Sequence, residues 1–237
     1  MEDQLGRWSA STAATRYRCL QQFWKWLVEE DEVETSPMAK MRPPAVPEAP
    51  VPIFTEDELR RLLKATEGKG STERRNNALL WTFIDTGVRL GEMGGMTVDD
   101  VDLDGGGISV LGKGSRRRNV PIGPRSTAAL DRYLRQRARH PKAHLPALWL
   151  GPKGGLTDSG IAQVLERVAA AAGVEGMHPH RFRHTFAHQW LASGGNEGNL
   201  QRLAGWRSAQ MLQRYGASAD DERAKDAYHR SGLWEAL

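Results

Sequence analysis

The chain has 237 residues, enough for one large domain or two modest ones with a buried core. Its 33 lysine and arginine residues outnumber 29 aspartate and glutamate residues, and the formal charge of +4 suits a nucleic-acid partner without requiring one. The single cysteine excludes an intramolecular disulfide, and with no signal-peptide pattern and no run of about 18 apolar residues we expect a cytoplasmic protein without membrane contact.

The first predicted element is an amphipathic helix over residues 12–30. Its apolar stripe recurs at helical spacing and consists of Tyr17, Leu20, Trp24 and Leu27. Residues 43–53 are rich in proline, a composition typical of a stiff, extended linker. We therefore divide the chain into a helical segment (1–42), a linker (43–53) and a larger domain (54–237).

The larger domain opens with two predicted helices. Thr55 and Glu58 have the spacing of a capping box at the start of the first helix, which runs to about Thr66. The second helix spans about residues 72–85 and stops at Gly87, because glycine is the residue that most often follows a helix end.

Arg89 and Glu92 lie at the join to the next element, three residues apart. At this spacing the carboxylate of Glu92 could hold the guanidinium of Arg89 by a charge-assisted hydrogen bond. Taken alone, a surface arginine in a turn between helices is the more common interpretation.

Alternating apolar residues predict a small antiparallel sheet between about residues 101 and 122. The inward-facing set consists of Val101, Leu103, Ile108, Val110, Val120 and Ile122. The last turn of this sheet, residues 112–118, carries Lys113 and three arginines: Arg116, Arg117 and Arg118. Taken alone, such a turn is a solvated basic hairpin.

Three further helices are predicted along the rest of the chain. The first, over residues 124–139, turns Leu130 and Leu134 inward. The arginines that we expect on its outer face are Arg132, Arg135, Arg137 and Arg139. The second covers residues 157–172, and a final helix is expected over residues 220–228.

The segment from His178 to Tyr215 holds a predicted anion site. Pro179 suits the first position of a helix, because its fixed φ is helical and its missing N–H is not needed there. His180 and Arg183 are then neighbours in the first turns, where free N–H groups and the helix dipole also favour an anion. These features together predict a phosphate-binding site.

Two other interpretations of this helix stay open. The histidines at positions 180, 184 and 188 share the spacing of zinc ligands. However, the helix lacks the glutamate of the zinc-protease pattern, and Arg181 and Arg183 would repel a cation, so we expect no metal. The other interpretation is a surface helix with incidental histidines.

The motifs of the C-terminal half occur in a fixed order. They are His180-x-x-Arg183, Leu203-Ala-Gly-Trp206 and Tyr215, which lies nine positions after Trp206 (215 − 206 = 9). Earlier in the chain stand Thr86-Gly-x-Arg89-Leu-x-Glu92, Gly112-Lys113-Gly114 and Arg118-Asn-Val-Pro121. This ordered set resembles the tyrosine recombinases of the phage integrase family, although histidine is commoner than tryptophan at the position of Trp206.

The resemblance implies a mainly α fold with a small antiparallel β-sheet (α+β). Residues 54–237 would form the catalytic domain, and residues 1–42 a truncated helical core-binding segment, because only the later helices of that domain find a match. Double-stranded DNA would be the partner, with no cofactor. The C-terminal tail would dock onto a neighbouring protomer and support assemblies from dimer to tetramer.

The resemblance also implies roles for individual residues. Tyr215 would attack a DNA phosphodiester, with His180 as the base and Lys113 as the acid. The residues that would stabilise the phosphate are Arg89, Arg183 and Trp206, with Glu92 in support of Arg89. Further DNA contacts are expected from the basic residues Arg116, Arg117, Arg118 and Arg181.

Site-specific DNA recombination through a 3′-phosphotyrosyl intermediate, without metal or ATP, is the leading functional interpretation. Two alternatives remain open at this point. One is a type IB topoisomerase-like nicking and closing activity, which uses the same chemistry without pairing two sites. The other is a truncated, non-recombining DNA-binding remnant of an integrase.

Overall fold

The computed structural model describes residues 8–47, 51–112, 114, 116–206, 212 and 228. The chain divides into two compact units, residues 1–50 and 51–237. Lys113, Tyr215 and all but Tyr228 of the final predicted helix lie outside the described residues. Within the described residues, no helix is long and apolar enough to cross a membrane.

Between residues 8 and 47, the first unit contains the helix α1 (Ala10–Glu29), whose N-cap Ser9 accepts a hydrogen bond from the backbone N–H of Thr12. Tyr17 is buried, and its hydroxyl donates to the carbonyl of Met41 over 2.6 Å. The predicted apolar stripe is wrong at Leu20, which is 49% exposed. The large apolar side chains exposed on this helix are Leu20, Phe23 and Trp26.

The second unit opens with the helices α2 (Glu56–Lys64) and α3 (Ser71–Thr86). The predicted capping box is confirmed: Thr55 Oγ1 accepts from the N–H of Glu58 over 3.2 Å, and Thr55 N–H donates to Glu58 Oε2 over 2.8 Å. Helix α3 ends where predicted, at Gly87, whose φ of 56° is a left-handed conformation that favours glycine.

A short helix, α4 (Leu90–Gly94), leads to the predicted antiparallel sheet. Its strands are β1 (Val101–Asp102), β2 (Gly107–Gly112) and β3 (Arg116–Pro121), in spatial order β1-β2-β3. In the register of β2 and β3, Val110 pairs with Arg118 and Gly112 with Arg116. The three arginines predicted for the turn therefore lie along β3, which begins at Arg116.

The middle of the unit consists of α5 (Pro124–Arg137), a hairpin of β4 (Leu150–Gly151) and β5 (Gly154–Gly155), and α6 (Asp158–Ala172). The prediction that Arg137 faces outward is wrong, because its side chain is buried at 6% exposure. Its guanidinium donates to backbone carbonyls of the following loop, at Ala143, Leu145, Ala147 and Leu148. These four bonds satisfy a charge that burial would otherwise make costly.

Helices α7 (Pro179–Ala192) and α8 (Glu197–Ala204) complete the unit. Phe182 of α7 stacks on Phe83 of α3 and packs against Phe54, with ring centroids 5.4 and 4.6 Å apart, so α7 is fixed to the main core. A second apolar cluster holds α8 against the later turns of α7. Its buried members are Ala187, Leu191, Leu200, Ala204, Trp206 and Leu212.

Candidate active site

The candidate site is built on the carboxylate of Glu92, which is buried in the first turn of α4. Oε1 accepts from Arg89 Nη1 and Arg118 Nη1, and Oε2 accepts from the backbone N–H of Arg89 and from Arg118 Nη2, each over 2.9 Å. Burial alone would raise the pKa of Glu92, but the bonds and charges of Arg118 and Arg89 outweigh it and hold the pKa below its usual range.

Three arginines from three different parts of the chain lie against the backbone carbonyls at the C-terminal end of α8. Arg118 Nε donates to the carbonyl of Leu203 over 2.9 Å. Arg183 Nη2 donates to the next carbonyl, that of Ala204, and Arg89 Nη2 lies 3.4 Å from the one after it. Carbonyls at a helix C-terminus lack partners within the helix and carry partial negative charge, so they suit guanidinium groups.

Both terminal nitrogens of the Arg183 guanidinium are hydrogen-bonded to backbone carbonyls. Its side chain is buried, and Nη1 donates to the carbonyl of Gly87 over 2.8 Å, next to the turn that carries Arg89. Its guanidinium carbon lies 5.2 Å from the ring centroid of Trp206, within the range of a cation–π contact. The structure thus brings together four of the predicted site residues: Arg89, Glu92, Arg183 and Trp206.

His180 lies one turn before Arg183 in α7, with its ring stacked on that of His178 at 5.4 Å between centroids. Partial desolvation of the ring lowers the pKa of His180, and the positive charges of His178, Arg183 and Arg89 lower it further. The lowered pKa favours the neutral imidazole, which is the form that can accept a proton.

The four arginines predicted to contact DNA fall into two groups. Arg116 is exposed, and Arg117 is 62% exposed and pairs with Asp100 over 2.6 Å. The side chains of Arg118 and Arg181 are only 15% and 13% exposed, and both are paired with carboxylates. The structure therefore gives these two residues partners within the protein, and their contact with DNA stays a prediction.

Arg181 pairs with Glu58, the residue that completes the capping box of α2. Its guanidinium also donates to the carbonyl of Ile53 over 3.0 Å and lies 4.1 Å from the ring centroid of Phe54. These contacts fix the start of the second unit against α7. Burial would raise the pKa of Glu58, but the backbone of Thr55 and the side chain of Arg181 keep it below its usual range.

Lys113 and Tyr215 lie outside the described residues, so their placement stays a prediction. The described residues nearest to them in sequence bear on the site. Gly112 and Arg116 pair across the hairpin at the turn that carries Lys113, and Leu212, three positions before Tyr215, is buried in the same cluster as Trp206. No group of three or more potential metal ligands occurs among the described residues.

The sequence held an unused signal for the position of Arg118. Side chains alternate across a strand, so Arg118 shares a face with Val120, which the alternation had already placed inward. In the structure Val120 is buried and Arg118 is mostly so, whereas Arg117 and Asn119 are exposed. Neighbouring arginines of this basic run therefore point to opposite faces of the strand.

Comparison with known proteins matches residues 52–222 to the phage integrase family. Tyrosine recombinase XerC of Xanthomonas axonopodis pv. citri (strain 306) is 31% identical over 209 residues, covering 87% of this chain and 67% of its own length. Tyrosine recombinase XerD of Listeria monocytogenes serotype 4b (strain F2365) is 28% identical over 225 residues, covering 93% and 75%. The chain thus spans about two thirds to three quarters of these relatives.

Solved structures show the same fold. The crystal structure of XerA recombinase is 25% identical with a TM-score of 0.67, covering 90% of this chain and 75% of that one. XerH site-specific recombinase in a post-cleavage complex with a palindromic difH substrate is 21% identical with a TM-score of 0.75, covering 97% and 69%. The predicted fold class, mainly α with a small antiparallel sheet, is confirmed.

Proposed function

The chain belongs to the phage integrase family and is a tyrosine recombinase by class, and we propose that it cleaves and rejoins DNA at a specific site through Tyr215. In this reaction the phenol oxygen of Tyr215 attacks the phosphorus of a DNA phosphodiester. The bond to the 5′-oxygen breaks, which leaves a 3′-phosphotyrosyl link and a free 5′-hydroxyl. Double-stranded DNA is the proposed partner.

The arginine cluster is the observation that supports this proposal. Negative charge builds on the non-bridging oxygens of the phosphate in the transition state, and fixed donors stabilise it most when they need no rearrangement. Arg89 is held by Glu92 and by the carbonyl of Gly205, and it keeps 39% of its side chain exposed. Arg183 is held by the carbonyls of Gly87 and Ala204. Loss of one such donor typically costs about 10²–10³ in rate.

His180 is the proposed general base. A tyrosine with a pKa of about 10 is mostly protonated at neutral pH, so it needs a base or a positive field to become a nucleophile. The lowered pKa of His180 keeps the imidazole neutral and therefore able to take the proton. The same positive neighbours that lower this pKa also favour the phenolate.

Lys113 is the proposed general acid, and its contribution would be roughly 10²–10⁴ in rate. The 5′-alkoxide is a poor leaving group, and an ammonium group on a flexible stem can deliver a proton that a guanidinium retains. The phosphotyrosyl bond keeps the energy of the phosphodiester, so the 5′-hydroxyl of a second DNA end can reverse the step. Strand exchange then needs neither ATP nor a metal.

Trp206 and the remaining predicted contacts complete the proposal. An indole N–H donates a hydrogen bond and cannot shuttle a proton, so Trp206 would donate to the phosphate, while its ring contacts the guanidinium of Arg183. Arg116 and Arg117, exposed on β3, are the proposed DNA contacts of the hairpin. Self-assembly on DNA through the C-terminal tail, a partial core-binding role for residues 1–42 and a cytoplasmic location stay predictions.

Formation of a covalent complex tests the proposal. The chain is incubated with a nicked DNA duplex that loses the 5′-hydroxyl fragment after cleavage, so the phosphotyrosyl product accumulates and migrates as a larger species in a denaturing gel. We expect the wild-type chain to form it and Tyr215→Phe to form none. Tyr228→Phe, at a tyrosine that is 53% exposed, is the matched control.

A plasmid assay, together with the covalent-complex assay, separates the two alternatives. Relaxation of supercoiled plasmid without a target site, in the absence of strand exchange between two sites, would favour the topoisomerase-like activity. Binding of DNA without any covalent species in the wild type would favour the non-recombining remnant and would overturn the proposal.

A further inference from the structure

Arg118 is the one of the three clustered arginines to which no role in the reaction has been given. Its guanidinium uses three nitrogen atoms at once: Nη1 and Nη2 on the two oxygens of Glu92, and Nε on the carbonyl of Leu203. The side chain is 15% exposed, against 39% for Arg89. Arg118 therefore directs its donors into the protein, whereas Arg89 keeps donors for a ligand.

Glu92 is saturated by this arrangement. Its two oxygens accept four hydrogen bonds, two from Arg118 and two from Arg89. A bidentate pair with a guanidinium fixes the plane of a carboxylate, so Arg118 determines where Oε1 meets Arg89 Nη1. The cluster contains two guanidinium groups and one carboxylate, and it keeps a net positive charge beside the exposed edge of Arg89.

Arg118 also links three elements of the site. Strand β3, from which it projects, belongs to the hairpin that carries Lys113, and Glu92 lies in the helix that follows Arg89. Leu203 lies in the last turn of α8, directly before the segment that continues to Tyr215. The hydrogen bonds of Arg118 therefore join the hairpin that carries Lys113, the helix that follows Arg89 and the helix that precedes Tyr215 in sequence.

Gly205 shows how closely this arginine approaches the end of α8. The residue has a φ of +64°, and a Cβ atom added there would lie 3.1 Å from Cζ of Arg118. That separation is tighter than ordinary van der Waals contact, so a side chain at this position would press against the guanidinium. The close approach of β3 to α8 thus depends on a glycine.

We propose that Arg118 is a positioning residue of the recombinase reaction: it fixes Glu92, and through it Arg89, relative to the end of α8. The inference rests on the proposed function, since Arg89 acts on the phosphate only if the chain cleaves DNA. Without Arg118, Glu92 would retain only Arg89 as an ionic partner, and Leu203 would lose its tie to the hairpin. Arg89 would then meet the phosphate in a less defined geometry.

The first test separates positioning from DNA contact. Single-turnover cleavage at saturating DNA, the dissociation constant for DNA and its salt dependence are measured for Arg118→Ala and Arg118→Lys. We expect cleavage to slow roughly 10- to 100-fold in Arg118→Ala, because small errors of placement cost that much. The affinity should stay within about twofold and its salt slope unchanged, because no phosphate contact is lost.

Two further variants serve as comparisons: Arg118→Lys is the conservative change, and Arg135→Ala is the surface control. A lysine keeps the charge but cannot make the bidentate pair, so its cleavage rate should fall between those of wild type and Arg118→Ala. Arg135 pairs with Asp131 on the surface of α5, with the two side chains 75% and 37% exposed, and its removal should leave cleavage and affinity unchanged. Thermal unfolding of each variant confirms that the folded protein is assayed, and the lysine variant serves if Arg118→Ala does not fold.

The second test asks whether Arg118 acts through Glu92. If the two residues act independently, the rate losses of Arg118→Ala and Glu92→Gln multiply in the double variant. If Arg118 acts through Glu92, the double variant is slower than the slower single variant by no more than about threefold, because coupled residues are not additive.

Three outcomes would overturn the inference while the wild-type chain still forms its covalent complex. Arg118→Ala could cleave at the wild-type rate, or it could lose affinity and salt slope while cleaving normally at saturating DNA, which would make Arg118 a phosphate contact. Rate losses that multiply with those of Glu92→Gln would also contradict it. Failure of the wild-type chain to form the covalent complex would instead count against the proposed function.

Discussion

Two glutamates of the second unit, Glu58 and Glu92, both cap the N-terminus of a helix but bind different numbers of arginines. Glu58 and Glu92 each occupy the third position of a helix and accept a hydrogen bond from the backbone N–H of the N-cap residue. Glu58 then binds one arginine, Arg181, whereas Glu92 binds two, Arg89 and Arg118.

The difference lies in the charge that remains. The pair of Glu58 and Arg181 has no net charge and is mostly buried, with side chains 16% and 13% exposed, and it fixes the start of the unit to α7. The Glu92 cluster keeps one positive charge in excess, and its exposed part is Arg89. The same capping arrangement therefore leaves a net positive charge at Glu92 and none at Glu58.

Removal of the Glu92 carboxylate should have the largest effect. Glu92→Gln leaves two guanidinium groups without their anion, which for a buried pair costs about 3 kcal/mol of unfolding free energy. Cleavage should fall by about 10²-fold, because Arg89 loses its orientation. Denaturant unfolding and single-turnover cleavage measure the two effects, and a variant with wild-type cleavage would contradict the role given to Glu92.

The matched change at the other glutamate should separate stability from activity. Glu58→Gln removes the anion that faces Arg181, and we expect about 1–3 kcal/mol of unfolding free energy to be lost. Cleavage at saturating DNA and at a temperature where the variant is folded should stay within about threefold of wild type. A loss as large as that of Glu92→Gln would show that the two clusters do not differ in function.

Lowering the pH should remove the contribution of both glutamates to the unfolding free energy. Each glutamate has a pKa in the folded chain below its value in the unfolded chain, so its stabilising effect is complete above about pH 4.5, the ordinary value, and is lost as the pH falls through the folded pKa. Unfolding free energy measured from pH 6 to pH 3 should therefore fall more steeply in wild type than in Glu58→Gln or Glu92→Gln. Equal slopes in all three proteins would contradict the assigned pairs.

The smallest expected effect is a shift in the pKa of His180 when Glu92 is replaced. Its pKa is lowered in part by Arg89 and Arg183, so cleavage should rise with pH to a plateau, with an apparent pKa below the usual value of histidine. Glu92→Gln increases the net positive charge nearby and should move this pKa further down, whereas Glu58→Gln should not move it. NMR titration of the ring, or the pH profile of cleavage, records the shift, and a shift in the opposite direction would refute the electrostatic link.

The parts of the fold set by local chemistry could be predicted from the sequence. The capping box of Thr55 and Glu58, the helix end at Gly87 and the strand alternation up to Val120 depend on residues only a few positions apart. The motifs also singled out four residues that the structure brings together at the end of α8, namely Arg89, Glu92, Arg183 and Trp206.

The partners of the other arginines could not be predicted in the same way. Arg181 and Glu58 are 123 positions apart, and Arg118 and Glu92 are 26 apart, so their pairs depend on how distant elements pack. Arg137 was placed outside because its helix face carries other exposed arginines, yet the following loop folds back and binds it. A charge in the sequence does not reveal whether it faces DNA or a carboxylate inside the protein.

Identification of the residue that carries the DNA tests the central claim most directly. The covalent product is isolated from a nicked duplex, digested with a protease and a nuclease, and analysed by tandem mass spectrometry. We predict a nucleotide 3′-phosphate on the oxygen of Tyr215. A nucleotide on any other residue, or attachment through a 5′-phosphate, would contradict the mechanism.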